Sequence, residues 1–459
     1  MIRFISLICF LSFIFSCTTS QQSTSASSNN NLENIDSIQE EANKLNTKDK
    51  VEDYFNPNYD KFQSVVYSEN IKTVQSQKAG WPITEQAMAL GVDTLIFSFD
   101  ELTSDLSNYY YTFIHCNADW TKSDLLQTEY LEGFFQDFIN TYSFSFNTLT
   151  NYIHYEVKFP NRNVKPTKSG NYIFKVYRDN NPDDVVLTQR FIVFENVIQT
   201  EAQVVRPSII EDRNDKQEID FKINTGKLPI NDSYNDLQVV LLQNHRWDNA
   251  ITDLKPRYIR GTEFDYNYDK ENVFNGLNEY RFLNLKSLRY RGPSVKEIKV
   301  IDRKNYVQLF PSKDRRFKNY ISYVDINGKY IIKTQDGINS ELEADYALVT
   351  FYMESKEKLA GDVYIFGGIT NYQLNDDFKL TYNPIYSAYE GSILLKQGFY
   401  DYYHVLKNPN GTIDIPYFEG NHFETVNNYT IITYVRDQIA DYDRVVGYFS
   451  FGSDKQNQR

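Results

Sequence analysis

Tyr109-Tyr-Tyr-Thr-Phe-Ile-His-Cys-Asn-Ala-Asp-Trp120 is the stretch around which the rest of the chain is organised. Up to Cys116 its residues are aromatic, β-branched or readily buried, and both alternating faces are apolar. Side chains alternate between the two faces of a sheet, so this pattern is typical of a central strand covered on both sides. Asn117 and Asp119 then supply turn chemistry, and Trp120 is placed to fold back over the strand end.

Similar short alternating runs, separated by Asn, Asp, Gly and Pro, continue along the chain, whereas helical periodicity is hard to find. The composition, with 37 Tyr and 32 Phe, suits such strands. We predict an all-β protein made of three consecutive β-sandwiches of immunoglobulin-like or early-set-like type. The predicted strands include 93–99, 109–116, 153–159, 171–178, 185–194, 218–223, 237–243, 276–285, 345–353, 362–366, 378–382, 391–395, 399–406 and 429–435.

The domain division follows from length and composition, because some 400 residues are too many for one core. A signal peptide is predicted over residues 1–16, followed by a lipidated cysteine and a disordered tether over 17–61. The three sandwiches are then predicted at 62–198, 199–312 and 313–459, of which the last is the most early-set-like.

The N-terminus has the features of an exported lipoprotein. Arg3 precedes an uncharged apolar run that ends directly at Ser16-Cys17, and the run is too short to span a bilayer. Cys17 is therefore the candidate lipidation site, although an ordinary cleaved signal with an incidental Cys17 is the alternative. In residues 18–31 all but one are Ser, Thr, Asn or Gln, which predicts a flexible tether.

Charge and cysteine content exclude several classes of function. The formal net charge is −13, and it becomes −14 once Arg3 is removed with residues 1–16. Such acidity argues against nucleic-acid binding, which needs a basic surface. With Cys9 in the signal and Cys17 lipidated, only Cys116 remains, so no disulfide framework is expected.

Candidate catalytic and metal-binding residues are few. His115, Cys116 and Asp119 are potential ligands, but adjacent strand residues point to opposite faces and cannot both reach one ion. His422 and Glu424 are two residues apart, and two ligands do not make a site. The chain has no nucleophile elbow, Walker loop, dinucleotide fingerprint or zincin motif. We therefore expect no enzyme activity, metal, cofactor or small-molecule substrate.

A longer ordered pattern resembles a known family. It consists of His115-Cys-Asn-Ala-Asp-Trp120, Ser123, Glu129-Tyr-Leu-x-Gly-Phe134, Phe159-Pro-Asn161, Ser169-Gly-Asn-Tyr172, Gln243-Asn-His-Arg-Trp-Asp248 and Asn278-Glu-Tyr-Arg-Phe282. This pattern resembles the plug protein of the type IX secretion system of Bacteroidetes. The signature residues, expected to be structural, are His115, Cys116, Asn117, Asp119, Trp120, Tyr130, Gly133, Pro160, Asn161, Gly170, Tyr172, Asn244, Arg246, Trp247, Asn278, Glu279 and Arg281.

The resemblance implies a non-enzymatic periplasmic protein that seals the periplasmic mouth of the outer-membrane type IX translocon barrel. Its membrane contact is expected through the lipid anchor alone, on the periplasmic face of the outer membrane. The alternative is an outer-membrane lipoprotein that binds carbohydrate through its C-terminal sandwich, because glycan-binding modules share that fold. A periplasmic hydrolase has only the abundance of acidic residues in its favour.

Overall fold

Strands are the dominant regular structure of residues 63–456, the part of the chain that the computed structural model describes. The all-β prediction is confirmed. Within these residues the α-helices are single turns, α1 (Gln127–Tyr130), α2 (Ser340–Glu343) and α3 (Pro416–Glu419). The predicted signal peptide, Cys17 and the tether lie outside the described residues.

The first sandwich contains the strands β1 to β12. Their bounds are β1 Val65–Val66, β2 Ile71–Lys78, β3 Ala87–Ala89, β4 Leu95–Glu101, β5 Tyr109–Cys116, β6 Leu131–Gly133, β7 Gln136–Phe138, β8 Thr141–Phe144, β9 Ile153–Phe159, β10 Val164–Pro166, β11 Gly170–Arg178 and β12 Val185–Phe194. One sheet has the order β1-β12-β11-β5-β7, with β3 parallel to β12, and the other has the order β2-β4-β9-β8. The aromatic core lies between these two sheets.

The second sandwich combines the middle of the chain with its last two strands. The strands are β13 Gln199–Val205, β14 Lys216–Asn224, β15 Leu237–Gln243, β16 Tyr258–Arg260, β17 Glu263–Asp265, β18 Val273–Asn275, β29 Asn428–Asp437 and β30 Tyr442–Gly452. One sheet has the order β13-β14-β17-β16, with β18 beside β14. The other has the order β15-β29-β30, and side chains of both sheets share one apolar core.

The third sandwich is one ten-stranded path that folds around its own core. Its order is β19-β27-β24-β25-β26-β23-β21-β20, with β22 and β28 also paired to β27. The strands are β19 Arg281–Asn284, β20 Val295–Ile301, β21 Lys304–Leu309, β22 Tyr330–Ile332, β23 Tyr346–Glu354, β24 Asp362–Phe366, β25 Lys379–Asn383, β26 Ala388–Lys396, β27 Gly398–Lys407 and β28 Ile413–Asp414.

The strand pairing crosses the predicted boundary at residues 312 and 313. β15 pairs with β29, and β19 pairs with β27, so each of these sheets joins residues from both sides of that boundary. The three domain ranges themselves stay predictions. The described residues all belong to one compact unit.

The predicted strand 276–285 is wrong in its first half, because only Arg281–Asn284 is extended and paired. The backbone of Leu277 has a φ of 58°, which a continuous strand does not allow. The carbonyl of Asn278 and the N–H of Tyr280 bond the Tyr403 hydroxyl and the Asp325 carboxylate instead of a neighbouring strand.

The strand β5 is covered on both faces, as its sequence predicts. Tyr111 and Phe113 enter the core of the first sandwich. Ile114 and Cys116 point to the opposite face and share a second apolar layer with side chains of the second sandwich, including Val240 on β15. The two sandwiches therefore meet face to face across the sheet that contains β5.

Trp120 lies in this layer between the two sandwiches. Its φ of 69° ends the turn after β5, and its side chain is only 4% exposed. The indole packs edge to face against Trp247, with ring centroids 5.0 Å apart, and the Arg190 guanidinium lies 4.4 Å above its ring. Trp120 thus joins the first sandwich to the second.

A buried charged cluster joins the first sandwich to the third. Asp100 on β4 accepts hydrogen bonds from Lys396 Nζ at 2.6 Å and from the Tyr346 hydroxyl at 2.7 Å, and its other oxygen lies 2.7 Å from Nδ1 of His154. Burial opposes ionisation, but the Lys396 ammonium and then the His154 ring hold the pKa of Asp100 below its ordinary value. The ion pair therefore holds the strands β23 and β26 against β4 and β9.

We expect Trp120→Ala to lower the free energy of unfolding by about 3–5 kcal/mol, because it deletes a large buried aromatic side chain. Urea denaturation of the purified variant and the parent measures this difference. Trp81→Ala is the matched control, since Trp81 is 60% exposed and its loss is expected to change stability little. Equal midpoints for Trp120→Ala and the parent would contradict the burial of Trp120.

Candidate interaction surface

His115 holds the first group of signature residues together. Its Nε2 donates to the carbonyl of Ser169 at 3.1 Å, Nδ1 lies 2.9 Å from the Ser123 hydroxyl, and its ring packs edge to face on Tyr172. Burial lowers the pKa of His115 to about 4, so the ring is neutral at ordinary pH. A Cβ at Gly170 would lie 2.1 Å from Nε2, and its φ is 153°, so only glycine fits beside this ring.

The turn after β5 is closed by its own polar side chains. Oδ1 of Asp119 accepts hydrogen bonds from the backbone N–H and the hydroxyl of Thr121 at 2.9 and 2.6 Å. Oδ1 of Asn117 accepts one from Arg436 of the second sandwich at 3.2 Å. Asp119 and Asn117 therefore act in the turn and at the joint between sandwiches.

The next signature residues fix the chain around β6 and β10. The Tyr130 hydroxyl donates to the carbonyl of Phe113 at 3.2 Å. Gly133 has a φ of 106°, and a Cβ there would lie 2.0 Å from the carbonyl oxygen of Asn163. Asn161 follows the cis peptide bond of Pro160 and accepts the N–H of Asn163 at 2.8 Å. This group sets the turn between β9 and β10 against the end of β6.

The signature residues after β15 join the second sandwich to its neighbours. Asn244 donates to Oδ1 of Asn427 at 2.8 Å. Arg246 is 2% exposed and forms two hydrogen bonds with Asp248, at 3.0 and 2.6 Å, while its guanidinium lies 5.4 Å above the ring of Phe366 on β24. The following residue is Trp247, which packs on Trp120.

The last signature residues surround Glu419, a fully buried carboxylate. Arg281 donates to Glu419 at 2.9 Å, Arg315 approaches it to 2.6 Å, and Asn278 donates to its backbone carbonyl at 2.8 Å. Burial raises the pKa of Glu419, but the two guanidiniums outweigh this effect and hold it well below its ordinary value. Nearby, burial raises the pKa of Glu279 to about 7.

None of these groups has the arrangement of a metal site. His115 and Cys116 point to opposite faces of β5, and Asp119 is exposed in the turn. His422 packs on the ring of Tyr320, and Glu424 pairs with an arginine at 4.0 Å. Within residues 63–456, no three His, Cys, Asp or Glu side chains converge as ligands for one ion. No helix in this part of the chain has the length and apolar character of a membrane span.

An exposed group of aromatic residues lies elsewhere, on the segment from β6 to just beyond β8. We call it the aromatic edge; it consists of Phe134, Phe135, Tyr142, Phe144 and Phe146, whose side chains are 37–63% exposed. Of these, sequence reasoning singled out Phe134 alone. The alternation Tyr142-Ser-Phe-Ser-Phe146 is the signal in the sequence that predicts its three aromatic side chains on one face of a strand.

The exposure of the aromatic edge results from an incomplete cover over β8. β8 is the last strand of its sheet, and Tyr142 and Phe144 lie opposite Tyr155 and Ile153, two fully buried core residues on β9. Directly opposed residues share a face, so Tyr142 and Phe144 occupy the core-facing side of β8. The sandwich leaves this side open to solvent.

A cleft of about 460 Å³ extends the aromatic edge between β7 and the end of β9. Asp137 of β7 stands opposite the core residue Tyr111, accepts a hydrogen bond from its hydroxyl at 3.3 Å, and accepts another from Asn163 at 2.7 Å. The backbone N–H of Phe134 bonds the carbonyl of Asn163, and Thr141 also lines the cleft, so Phe134 and Tyr142 each adjoin a residue of its lining. A polar-lined cleft flanked by aromatic rings suits protein recognition, in which aromatic anchors enter a partner and polar groups form the rim.

The comparisons with known proteins give a family match in the first sandwich. Residues 71–195 match the family described as "Type 9 secretion system plug protein 1st domain", and this range contains the whole aromatic edge. A solved structure, of a hypothetical protein from Parabacteroides merdae, is similar with 34% sequence identity and a TM-score of 0.82, and the match covers 86% of this chain and 100% of that one. No curated protein matches.

The raised pKa of Glu279 predicts a pH dependence of stability. A glutamate ionises near pH 4.5 in the unfolded chain but near pH 7 in the fold, so the folded state keeps a proton that the unfolded state loses. The contribution of Glu279 to stability therefore falls as the pH rises from about 4.5 to 7. Glu279→Gln cannot ionise and still accepts the Tyr320 hydroxyl.

We therefore expect the Glu279→Gln variant and the parent to have the same free energy of unfolding near pH 4.5. Above pH 7 we expect that of the variant to be higher. Urea denaturation across this range measures the difference. A constant difference between the two proteins at all pH values would contradict a neutral Glu279 in the fold.

Proposed function

Because the chain belongs to the type 9 secretion system plug protein family, we propose that it binds the periplasmic mouth of the outer-membrane type IX translocon barrel and closes it at rest. The family is not an enzyme family, and we propose a non-enzymatic role for this member. Family membership also supports an envelope location, specifically the periplasm. A pore that passes folded proteins has to be closed between substrates, or the membrane ceases to be a barrier.

The observation that carries this proposal is the aromatic edge within the matched domain. An ordinary protein surface carries exposed apolar residues singly, whereas this segment carries five exposed aromatic side chains close to a polar cleft. Tyr and Phe anchors with a polar rim are typical of interfaces that form and separate. We propose that the aromatic edge contacts the translocon.

The joints between the sandwiches support the same role. A stopper has to resist bending, and the described unit is joined by an apolar layer around Trp120 and by the buried pair Asp100–Lys396. Rearrangement of these joints would leave unpaired charge in the interior, which is strongly unfavourable. The three sandwiches therefore suit a rigid body that binds and leaves as a whole.

The membrane anchor is part of the proposal and rests on sequence alone. The apolar run that ends at Cys17 supports lipidation, and the polar tether over residues 18–61 would keep the folded part near the translocon. This raises the local concentration of the plug without adding any contact.

Carbohydrate binding is the second candidate function, and one cleft favours it. On the third sandwich a cleft of about 740 Å³ is lined by Tyr352, Tyr386 and Tyr417 among polar side chains. Tyrosine rings beside hydrogen-bonding groups suit sugar rings. Isothermal titration of the parent and of Tyr386→Ala with soluble glycans tests it, and no heat of binding to the parent would remove this candidate.

We expect Cys17→Ser to release the protein from the outer-membrane fraction into the soluble periplasmic fraction, because the acyl chain is lost. Cell fractionation with mass spectrometry of the mature N-terminus measures this. The fold is expected to be unchanged, so circular dichroism of the variant is the control. A wild-type protein that is wholly soluble and carries no acyl mass would contradict the anchor.

We expect the triple variant Tyr142→Ser, Phe144→Ser, Phe146→Ser to co-purify with the idle translocon at least about tenfold less than the parent, because the exposed aromatic anchors are removed. Affinity purification from solubilised outer membranes measures this. Cells carrying the variant should also admit large antibiotics that the parent strain excludes.

The matched control is Tyr258→Ser, Ile259→Ser on β16, an edge strand of the second sandwich whose two side chains are 54% and 39% exposed. We expect it to co-purify like the parent. If the triple variant co-purifies with the translocon as much as the parent does, the proposal that the aromatic edge contacts the translocon is wrong. A parent protein that never associates with the translocon would overturn the plug function itself.

A further inference from the structure

A second exposed apolar region lies on the long connection between β21 and β22. We call residues 313–324 the apolar loop. Its side chains Phe317, Ile321 and Val324 are 87%, 72% and 95% exposed. Single exposed apolar residues are ordinary, but three within eight positions on one loop mark a contact surface.

The apolar loop is tied to the third sandwich at its start. Nη2 of Arg281 donates to the carbonyl of Lys313 at 2.7 Å. The backbone N–H of Arg315 donates to the carbonyl of Phe418 at 2.8 Å, and its side chain forms the ion pair with Glu419. The beginning of the loop is therefore fixed by the buried charges around Glu419.

The second half of the loop is tied by tyrosines that alternate with the exposed residues. The Tyr320 hydroxyl donates to the Glu279 carboxylate, and the Tyr323 hydroxyl donates to the carbonyl of Tyr280 at 2.8 Å. Tyr320 and Tyr323 point inward while Ile321 and Val324 point outward. The loop thus presents its apolar side chains in a fixed conformation, and ordering them on contact costs little entropy.

The charge of the apolar loop is opposite to that of the whole chain. The chain carries −13, whereas the loop contains five charged residues of which four are basic. Arg315 is paired with Glu419 and Arg316 with Asp314 at 2.9 Å. The exposed ammonium groups of Lys313 and Lys318 form no ion pair with any residue in the described part of the chain.

We propose that the apolar loop inserts Phe317, Ile321 and Val324 into the surface of a bilayer that contains anionic lipids. Apolar side chains enter the boundary between headgroups and acyl chains, and neighbouring lysines bind the phosphates. In an acidic protein, the basic residues of this loop, next to its exposed apolar side chains, are complementary to such a surface. This contact is independent of the translocon and of any acyl chain on Cys17.

The proposal also gives a role to signature residues that the aromatic edge does not use. Glu279 and Arg281 bond the loop directly, and Asn278 bonds the backbone of Glu419, whose carboxylate holds Arg315 of the loop. They do not reach the membrane themselves, so they are positioning residues. A variant that releases the loop without unfolding the sandwich should bind lipid more weakly.

Vesicle flotation tests the proposal with residues 17–459 carrying Cys17→Ser, so that no acyl chain contributes. The probes are vesicles of phosphatidylethanolamine with phosphatidylglycerol and vesicles of phosphatidylcholine alone. We expect binding to the anionic vesicles only, weakened by high salt. Failure to float with anionic vesicles at low salt would overturn the proposal and would leave the plug function untouched, because no translocon is present.

Variants locate the contact. We expect the triple variant Phe317→Ser, Ile321→Ser, Val324→Ser to lose at least about tenfold in vesicle binding, and Lys313→Glu, Lys318→Glu to lose about fivefold or more for each charge on anionic vesicles. The matched control is Ile439→Ser, since Ile439 is 98% exposed but lies in a turn between Asp437 and Asp441. It should bind like the parent. Equal binding by the apolar triple variant would overturn the proposal.

Two further measurements separate insertion from simple adsorption. With vesicles, the indole introduced by Phe317→Trp should show a blue-shifted fluorescence, after subtraction of the parent's signal, that lipids brominated near the headgroup quench. Tyr320→Phe, which removes the hydroxyl that bonds Glu279, should weaken vesicle binding about twofold to fivefold with little change in melting temperature. An unshifted, unquenched signal from the Phe317→Trp variant would overturn insertion.

Discussion

Side chains on both faces of the strand Tyr109–Cys116 have to be buried, and the arrangement of the first two sandwiches depends on this constraint. One face is covered by the strands of its own sandwich. The other face presents Ile114 and Cys116, which no single sandwich can cover, so a sheet of the second sandwich has to pack there. Trp120 and Trp247 pack edge to face against each other in this layer. The same strand that organises the first core therefore also fixes the position of the second sandwich.

Buried charges fix the third sandwich in a different way. Asp100 and Lys396 form an ion pair across its joint with the first sandwich, and Arg281 and Arg315 surround Glu419 within it. Such pairs add little net stability because their desolvation is costly, but leaving one partner unpaired is strongly unfavourable. We infer that they act mainly on specificity, since an apolar joint tolerates sliding whereas an ion pair requires one register. For a protein proposed to close a pore, a single rigid arrangement matters more than a large free energy of unfolding.

Local patterns in the sequence predicted the strands well, but they did not predict which distant strands pair with each other. The bounds of Tyr109–Cys116, Ile153–Phe159 and Leu237–Gln243 agree with the structure, because alternation is a local signal. The pairing of Leu237–Gln243 with Asn428–Asp437 is not readable from either segment, since both simply have two apolar faces. The error over residues 276–280 has a similar origin, because their polar side chains serve contacts with distant residues and the backbone at Leu277 is left-handed.

The candidate surfaces show what a family pattern can and cannot indicate. Most signature residues are buried, including His115, Trp120, Arg246 and Glu279, so they specify the scaffold and its joints. The aromatic edge and the apolar loop consist mainly of residues outside that pattern. The loop residues are exposed because they alternate with inward-pointing tyrosines, whereas Tyr142 and Phe144 are exposed because the sandwich leaves the core-facing side of β8 uncovered. A substitution in the signature would therefore change binding only through the position of a loop or joint, whereas a substitution in Tyr142–Phe146 or Phe317–Val324 acts on the contact directly. The two surfaces lie on different sandwiches of one compact unit.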